Sequence, residues 1–451
     1  MAGGKLLDSE VDAPVVSLID IAINETLAVC AGAGISRGAG LPDGRELARR
    51  LHARFAGQVS GYTCDEPENL LAVAEAAARV RGGLEAVQRV VLQLAPFGAV
   101  KAQEAHLLLA LLVAEGVVRL LLTNWDDCVE RSWRQDEHLP AARNAEEASA
   151  LRGQVILKIH GCCTEVRTVL ITPNQLENPG LWVETRFEAE LATSTMVFVG
   201  VGDVADYAQK RITQLAAIAD HGRIRVVSPN IDERWEGSAW ATLLPDLPAE
   251  RRLPQSAEDF FDQLAREWVM GLLRSVRKTE SDALATSLEA VGVAFAKFTA
   301  VEAMTWLRRA AVGWEVGESV ARSAAAETAL EAIAILVSQG SGGSPRFTRA
   351  SSVFVGDRHI GVVLCKPRQF SSAVETAALE RARAVAARRG PQSHVTILCS
   401  AASVRGTIRN VVAAQDVVDP DAPIDDQIDG PRQVTVNLML ADELLRTHDR
   451  D

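Results

Sequence analysis

The sequence predicts an α/β protein: a doubly wound parallel, Rossmann-like sheet with a helical module, followed by a helical connector and a small α/β C-terminal domain. Three observations predict it. Five short apolar runs, at 27–30, 117–123, 155–159, 196–199 and 224–227, each have the length and β-branched content of a buried strand, and helical stretches separate them. The first run ends in a glycine-rich turn, Gly32-Ala33-Gly34, that leads toward a helix. An alanine-rich helical stretch, 272–339, is then cut by Gly340-Ser341-Gly342-Gly343-Ser344-Pro345, the composition of a flexible linker. Alternating strands and helices imply right-handed crossovers, and ligands then bind at the carboxyl ends of the strands.

Taken in order, 27–30 forms the first strand and 46–55 has helical spacing behind the glycine turn. The region 46–115 is almost entirely helical in pattern, too long for one crossover, so a helical module stands beside the cleft. Apolar positions Phe295, Phe298, Met304, Trp306, Leu307 and Ala311 give the connector its helical face. Beyond the linker, 352–355 and 360–365 read as paired strands about a turn at Gly356-Asp357, then a helix at 374–389 and a strand at 395–399. The expected domains are 1–270, 271–340 and 341–451.

Length and composition set limits. With 451 residues and 48% hydrophobic content the chain buries a large core, enough for two or three domains. A net charge of -12 argues against nucleic-acid binding by the surface as a whole, so no direct nucleic-acid binding is expected. Residues 1–13 carry acidic groups and lack an apolar core of signal-peptide length, and the apolar stretch 106–122 is interrupted by Glu115 and Arg119. The expectation is a soluble cytoplasmic protein without membrane attachment. Seven cysteines, an odd number with no pair at zinc-knuckle spacing, read as reduced core thiols; Cys162 and Cys163 are adjacent and poorly placed to share one zinc, so no metal is expected.

Four places carry candidate chemistry. Gly32-Ala33-Gly34-Ile35-Ser36, with Gly40, Leu41, Pro42, Asp43 and Arg45 after it, is either a phosphate loop or a tight structural turn. Asn124 and Asp126 follow the second strand, where they either form a turn or hydrogen-bond a ribose and orient water. His160 follows the third strand, and Gly161 lets the backbone fold away so that the imidazole faces a cleft and takes a proton. His106, at a helix start, is assigned to packing. The fourth place is the glycine turn Gly200-Val201-Gly202-Asp203 after the strand at 196–199, and Asn230 follows the next strand.

The order and spacing of these motifs, over roughly residues 14–270, resemble the sirtuin family, which binds NAD and cleaves its nicotinamide-ribose bond. The resemblance implies that Gly32, Ala33, Gly34, Ile35, Ser36, Pro42, Asp43 and Arg45 form the cofactor loop. In that reading Ser36 and the Gly32 and Gly34 amides hold phosphate, and Arg45 pairs with the diphosphate or orders the loop. It places Asn124 and Asp126 beside the nicotinamide ribose, makes His160 catalytic, closes Gly200 and Gly202 on the ribose and sets Asn230 near the adenine ribose. Sirtuins usually have Ser at the position of Gly202. The two zinc-binding cysteine pairs of the protein deacylases are missing, and the compact layout is similar to bacterial sirtuin-like NAD hydrolases of antiphage defence.

That resemblance implies an NAD hydrolase that yields nicotinamide and ADP-ribose and is held inactive until triggered by a ligand, by self-assembly, or by a defence partner such as a hexameric translocase ATPase or a short Argonaute. The alternatives are an NAD-dependent deacylase or ADP-ribosyltransferase, and a module that senses NAD or ADP-ribose. The alanine-rich connector leads us to expect a homo-oligomer. The C-terminal segment faintly resembles a restriction-endonuclease core, but Leu364 stands where such a nuclease needs its second carboxylate. A scaffold or partner-binding role is expected there, with Lys366 an ordinary surface lysine.

Overall fold

The computed structural model describes residues 18, 20–22, 27–80, 82–133, 138–151, 156–202, 208–210, 212–213, 223–276, 282–339, 344–366, 373–374, 376–378, 380–382, 395–400 and 436–448. They fall into two units, Met1–Leu264 and Ala265–Asp451. The division lies inside the helix Ala257–Val276.

The first unit is built on a seven-stranded sheet in which every pairing is parallel: β1 (Leu27–Ala31), β2 (Val118–Leu122), β3 (Ala141–Ala142), β4 (Ile156–Lys158), β5 (Thr195–Val199), β6 (Ile224–Val227) and β7 (Arg252–Leu253), in the order β3-β4-β2-β1-β5-β6-β7. This is the expected doubly wound α/β sheet. All five expected strands form; Val155, at the start of one, lies outside the described residues. The two strands not expected, β3 and β7, are two-residue edge strands, too short to show an alternating pattern.

β1 sits at the centre, with Val29 in register with both Leu120 of β2 and Val197 of β5. From β1 the chain passes to β2, on to β3 at the edge and back to β4 between them, then crosses to β5 on the other side of β1. The strand order therefore reverses between β1 and β5, and the crevice beyond their carboxyl ends is the natural ligand position of this topology. Ala28, Cys30, Phe198 and Val226 face one layer of the core, together with Phe187 and Trp240. Burial lifts the Cys30 thiol to about 12, so it is an inert packing residue.

The expected helical module is present as α1 (Gly44–Phe55), α2 (Leu70–Val80), α3 (Leu84–Gln93) and α4 (Glu104–Ala114). Leu47, Leu51, Phe55, Val73, Ala77, Val87 and Val91 recur at helical spacing and close on one another, joined by Val169 and Ile171 from beyond β4. α4 is apolar on all sides, and residues from Ala105 to Ala114 are buried except Leu107, so the apolar stretch 106–122 is this helix followed by β2. Among the described residues no single helix is long and apolar enough to cross a membrane.

The second unit holds α6 (Asp282–Phe295), α7 (Ala300–Ala310) and α8 (Ala324–Gln339), numbered after α5 (Leu181–Thr193) of the first unit. Its sheet runs β13 (Val436–Leu440), β12 (Val395–Ser400), β11 (Arg358–Cys365), β10 (Ser352–Val355), β9 (Arg346–Thr348), with β8 (Ala311–Val312) also paired to β11. β9, β10 and β11 are antiparallel, whereas β11, β12 and β13 are parallel. Phe295, Trp306 and Phe347 meet edge to face with centroids 5.0 to 5.6 Å apart, which locks the helices of 282–310 onto β9. Ala311, read above as part of the helical face, begins β8. Asp357 lies in the β10–β11 turn, while Lys366 follows the far end of the eight-residue β11 and pairs with Glu318 at 2.6 Å. The two residues thus stand roughly 30 Å apart by strand rise and do not share one site. Residues 340–343 of the expected linker and 383–389 of the expected helix lie outside the described residues.

Candidate functional site

The glycine turn after β1 is a joint between two loops. The Gly32 amide donates to Val199 O at 2.9 Å, and the Gly34 amide donates to Gly200 O at 2.9 Å. A Cβ on Gly34 would lie 2.6 Å from Gly200 Cα, and one on Gly32 would lie 2.7 Å from Gly200 O, so only glycine allows the approach. The expectation that these two amides hold phosphate is corrected on that ground: both are already used within the protein. What remains open at the mouth of the turn is Ala33 and Gly34, both exposed, while Ile35 and Ser36 point into the core.

Ser36 is the hub of a buried network. Its hydroxyl donates to Asp126 Oδ2 at 2.9 Å, and it accepts from Asn124 Nδ2 at 3.0 Å. Asn124 Nδ2 also lies 3.2 Å from Asp126 Oδ2, and the Cys128 amide donates to Asp126 Oδ1 at 3.2 Å. His106 Nε2 completes the set, 3.0 Å from Ser36 Oγ. His106 is packed at the helix start as expected, fully buried and part of the helix cap, and in addition it joins this network, of which its position in an apolar helix gave the sequence no sign. Ser36 is likewise turned away from the phosphate position expected of it, because its hydroxyl is consumed inside the protein.

Asn124 commits its amide nitrogen inward, and its Oδ1 is buried without a hydrogen-bond partner among the described residues. An orphaned acceptor of this kind costs roughly 1–3 kcal/mol, so it marks a place where a donor from a ligand or water belongs.

Beneath the network lies a buried charge cluster. Lys158, fully buried on β4, donates to the Asp126 carbonyl and pairs with Glu130 at 3.3 Å. Burial raises the Glu130 carboxyl above its usual range. Burial also acts against the Lys158 ammonium, but Glu130, Cys162 and Asp126 outweigh it and hold Lys158 above its usual value. Asp126 is pushed up by burial, yet Lys158, His106, Ser36 and the Cys128 amide together keep it below the ordinary carboxylate range. Cys162 is held down to about 5, first by its hydrogen bond with Cys163 and then by Lys158 acting against burial. The sequence gave no sign of this cluster beyond the lone lysine inside an apolar run.

His160 follows β4, on the strand beside β2, and is partly open to solvent. The Leu170 amide donates to its carbonyl at 3.1 Å, and the Cys163 amide donates to the Trp125 carbonyl at 2.7 Å, which ties the His160 turn to the Asn124 loop. Burial of the imidazole lowers it to about 4. Gly161 has φ of 85°, and a Cβ there would meet the Thr168 carbonyl at 2.1 Å, so the turn that presents His160 requires glycine.

The remaining expected residues stand elsewhere. Asp43 caps α1 by accepting from the Glu46 amide at 2.8 Å, with Pro42 half-buried before it. Arg45 is exposed on the first turn of α1 and meets Glu68 at 3.6 Å. Gly202 and Asn230 are exposed at the ends of β5 and β6, and Asp203 lies outside the described residues. Trp240 Nε1 donates to Val201 O at 3.2 Å and braces the Gly200 turn. His106, Asp126 and Cys128 offer donor atoms within 4.8 Å of one another, a group the cysteine spacing did not reveal. Two of the three already bond Ser36, so a soft ion would bind there only by displacing those bonds.

Fold and site together define an α/β protein with a parallel sheet and a buried Ser-Asn-Asp-His network at the carboxyl ends of its neighbouring strands β1 and β2. Residues 119–236 match the family model described as the SIR2-like domain. The match includes Asn124, Asp126, His160, Gly200 and Gly202 and leaves out the first glycine turn and His106. No curated protein matches the chain. Among solved structures, one titled "Crystal structure of a Sir2 homolog-NAD complex" is similar at 15% identity and a TM-score of 0.32, covering 55% of this chain and 91% of that one.

Proposed function

We propose that the first unit is an NAD hydrolase that cleaves NAD to nicotinamide and ADP-ribose. The observation that carries this reading is the buried, unpartnered Asn124 Oδ1, held beside Asp126 and Ser36 at the carboxyl end of β2 within a SIR2-like segment. Asn124 Oδ1 accepts from a ribose hydroxyl or from the attacking water. His160, neutral because burial depresses it to about 4, takes the proton that this water releases. The C1′–N bond to nicotinamide breaks with its electron pair leaving on the ring nitrogen, a C1′–O bond to water forms, and one proton is released. Asp126, ionised and locked by three donors, fixes the Asn124 amide.

We further propose that the hydrolase serves antiphage defence and stays inactive until a partner, a ligand or self-assembly orders the cleft, since unrestrained NAD loss harms the host. The test is incubation of NAD with the purified chain, and with cell extract containing its natural neighbours, followed by product identification. Nicotinamide and ADP-ribose are the expected products. Tight NAD binding without turnover in either setting overturns hydrolysis in favour of sensing, and turnover only with an acylated peptide overturns it in favour of deacylation.

A further inference from the structure

We infer that His106 is a positioning residue that sets the proton order of the Ser36–Asn124–Asp126 network and so fixes Asn124 Oδ1 as its one unpartnered acceptor. The role rests on the NAD reading above, but its geometric basis stands apart from it.

The direction of every bond follows from one backbone group. The Gln103 amide, which can only donate, lies 3.0 Å from His106 Nδ1, so Nδ1 is unprotonated and accepts. The single proton of the neutral ring then sits on Nε2 and is donated to Ser36 Oγ, 3.0 Å away. Asn124 Nδ2 donates to the same oxygen at 3.0 Å. Both acceptor positions of the hydroxyl are now used, so its own proton goes to Asp126 Oδ2 at 2.9 Å.

With Asp126 accepting from Ser36 and Asn124 together, rotating the Asn124 amide would turn Oδ1 toward an ionised carboxylate and a filled hydroxyl. The amide therefore has one stable orientation, with Nδ2 toward Ser36 and Asp126 and Oδ1 on the side away from them. A protonated His106 would put an N–H against the Gln103 N–H and break the helix cap. Burial holds the ring below its ordinary value, against the pull of Asp126, Glu258 and the Gln103 backbone toward protonation, with Lys158 acting in the same sense as burial.

His106 also forms the capping box of α4 with Gln103, so a test must separate the cap from the proton order. His106→Gln does this, because glutamine at this third helical position still accepts from the capping amide yet leaves Ser36 without its donor. Ser36→Ala removes the same relay from the other side. With the full chain labelled with [15N]histidine, long-range nitrogen-proton spectra should show His106 Nδ1 as the unprotonated nitrogen and Nε2 as the protonated one at neutral pH. On NAD, His106→Gln and Ser36→Ala should each lower kcat about 10- to 100-fold with KM changed less than threefold, and the double variant should be no worse than the poorer single variant.

A protonated Nδ1, or a folded His106→Gln that keeps kcat within twofold of the parent, overturns the inference. Additive losses in the double variant also overturn it, because they mean the two residues act separately. If the parent chain does not turn over NAD, the proposed hydrolase fails while the nitrogen spectra still decide the proton order.

Discussion

Asn124 Nδ2 lies 3.0 Å from Ser36 Oγ, a bond between residues 88 positions apart that joins the loop after β2 to the turn after β1. The Thr123 amide reinforces it by donating to the Ala31 carbonyl at 3.0 Å. Two neighbouring strand ends are thereby fixed before any ligand arrives, and the side-chain oxygen left over, Asn124 Oδ1, is buried without a partner among the described residues. Rigid floors of this kind hold reacting groups without reorganisation at the moment of reaction.

The joint between the glycine turns gives the first prediction. Gly34→Ala and Gly200→Ala should each destabilise the first unit by about 2–4 kcal/mol, because the added Cβ lands on backbone that has nowhere to move. Gly202→Ala is the matched control: a Cβ there meets nothing within 4 Å among the described residues, and stability should stay within about 0.5 kcal/mol. Urea denaturation followed by tryptophan fluorescence measures all three.

Lys158→Met should cost about 3–5 kcal/mol, since it strands Glu130 and the Asp126 carbonyl in a buried setting. Lys158→Met combined with Glu130→Leu should recover part of that loss. A single variant as stable as the parent would show that the pair does not hold the Asn124 loop in place.

Acid titration reads His160 directly. Its folded value of about 4 lies below the ordinary 6.5, so folding favours the neutral ring. The stability it contributes is complete above pH 6.5 and is lost as the pH falls through the window from 6.5 to 4. Asp126, also depressed, adds a second loss at lower pH, below the ordinary value of 3.8. The kcat/KM profile should accordingly keep its acid limb near pH 4, and a limb near 6.5 would mean that the base is a solvated imidazole.

Much of this was legible in the sequence because strand-end motifs combine two local signals, an apolar run and the residues that break it. The runs before Gly32, Asn124, His160 and Gly200 placed those residues at carboxyl ends, where the sheet indeed puts them. What pattern did not disclose was partnership across the sheet. The carbonyls that take the Gly32 and Gly34 amides belong to β5 and its turn, more than 160 residues away, and His106 reaches Ser36 only because α4 is wholly buried. Lys158 lies within an apolar run whose pattern says nothing of its partners, yet its charge is fully enclosed. In each case burial and pairing are tertiary properties, which no local run of residues encodes.

Arg45 provides a discriminating case. Its guanidinium is two-thirds exposed and meets Glu68 at 3.6 Å, a surface pair worth less than about 1 kcal/mol. Arg45→Ala should leave the melting temperature essentially unchanged. A raised KM for NAD with unchanged kcat would assign it to the diphosphate, and an unchanged KM would remove it from the site.

The most direct test of the account compares Asn124→Ala and His160→Ala with the parent for NAD binding by calorimetry and for NAD turnover under the same conditions. Both variants should fold and bind NAD within about tenfold of the parent while turnover falls by a hundredfold or more. Turnover that survives in the Asn124→Ala variant would contradict it, because the chemistry would then run without the one buried acceptor on which the site is built.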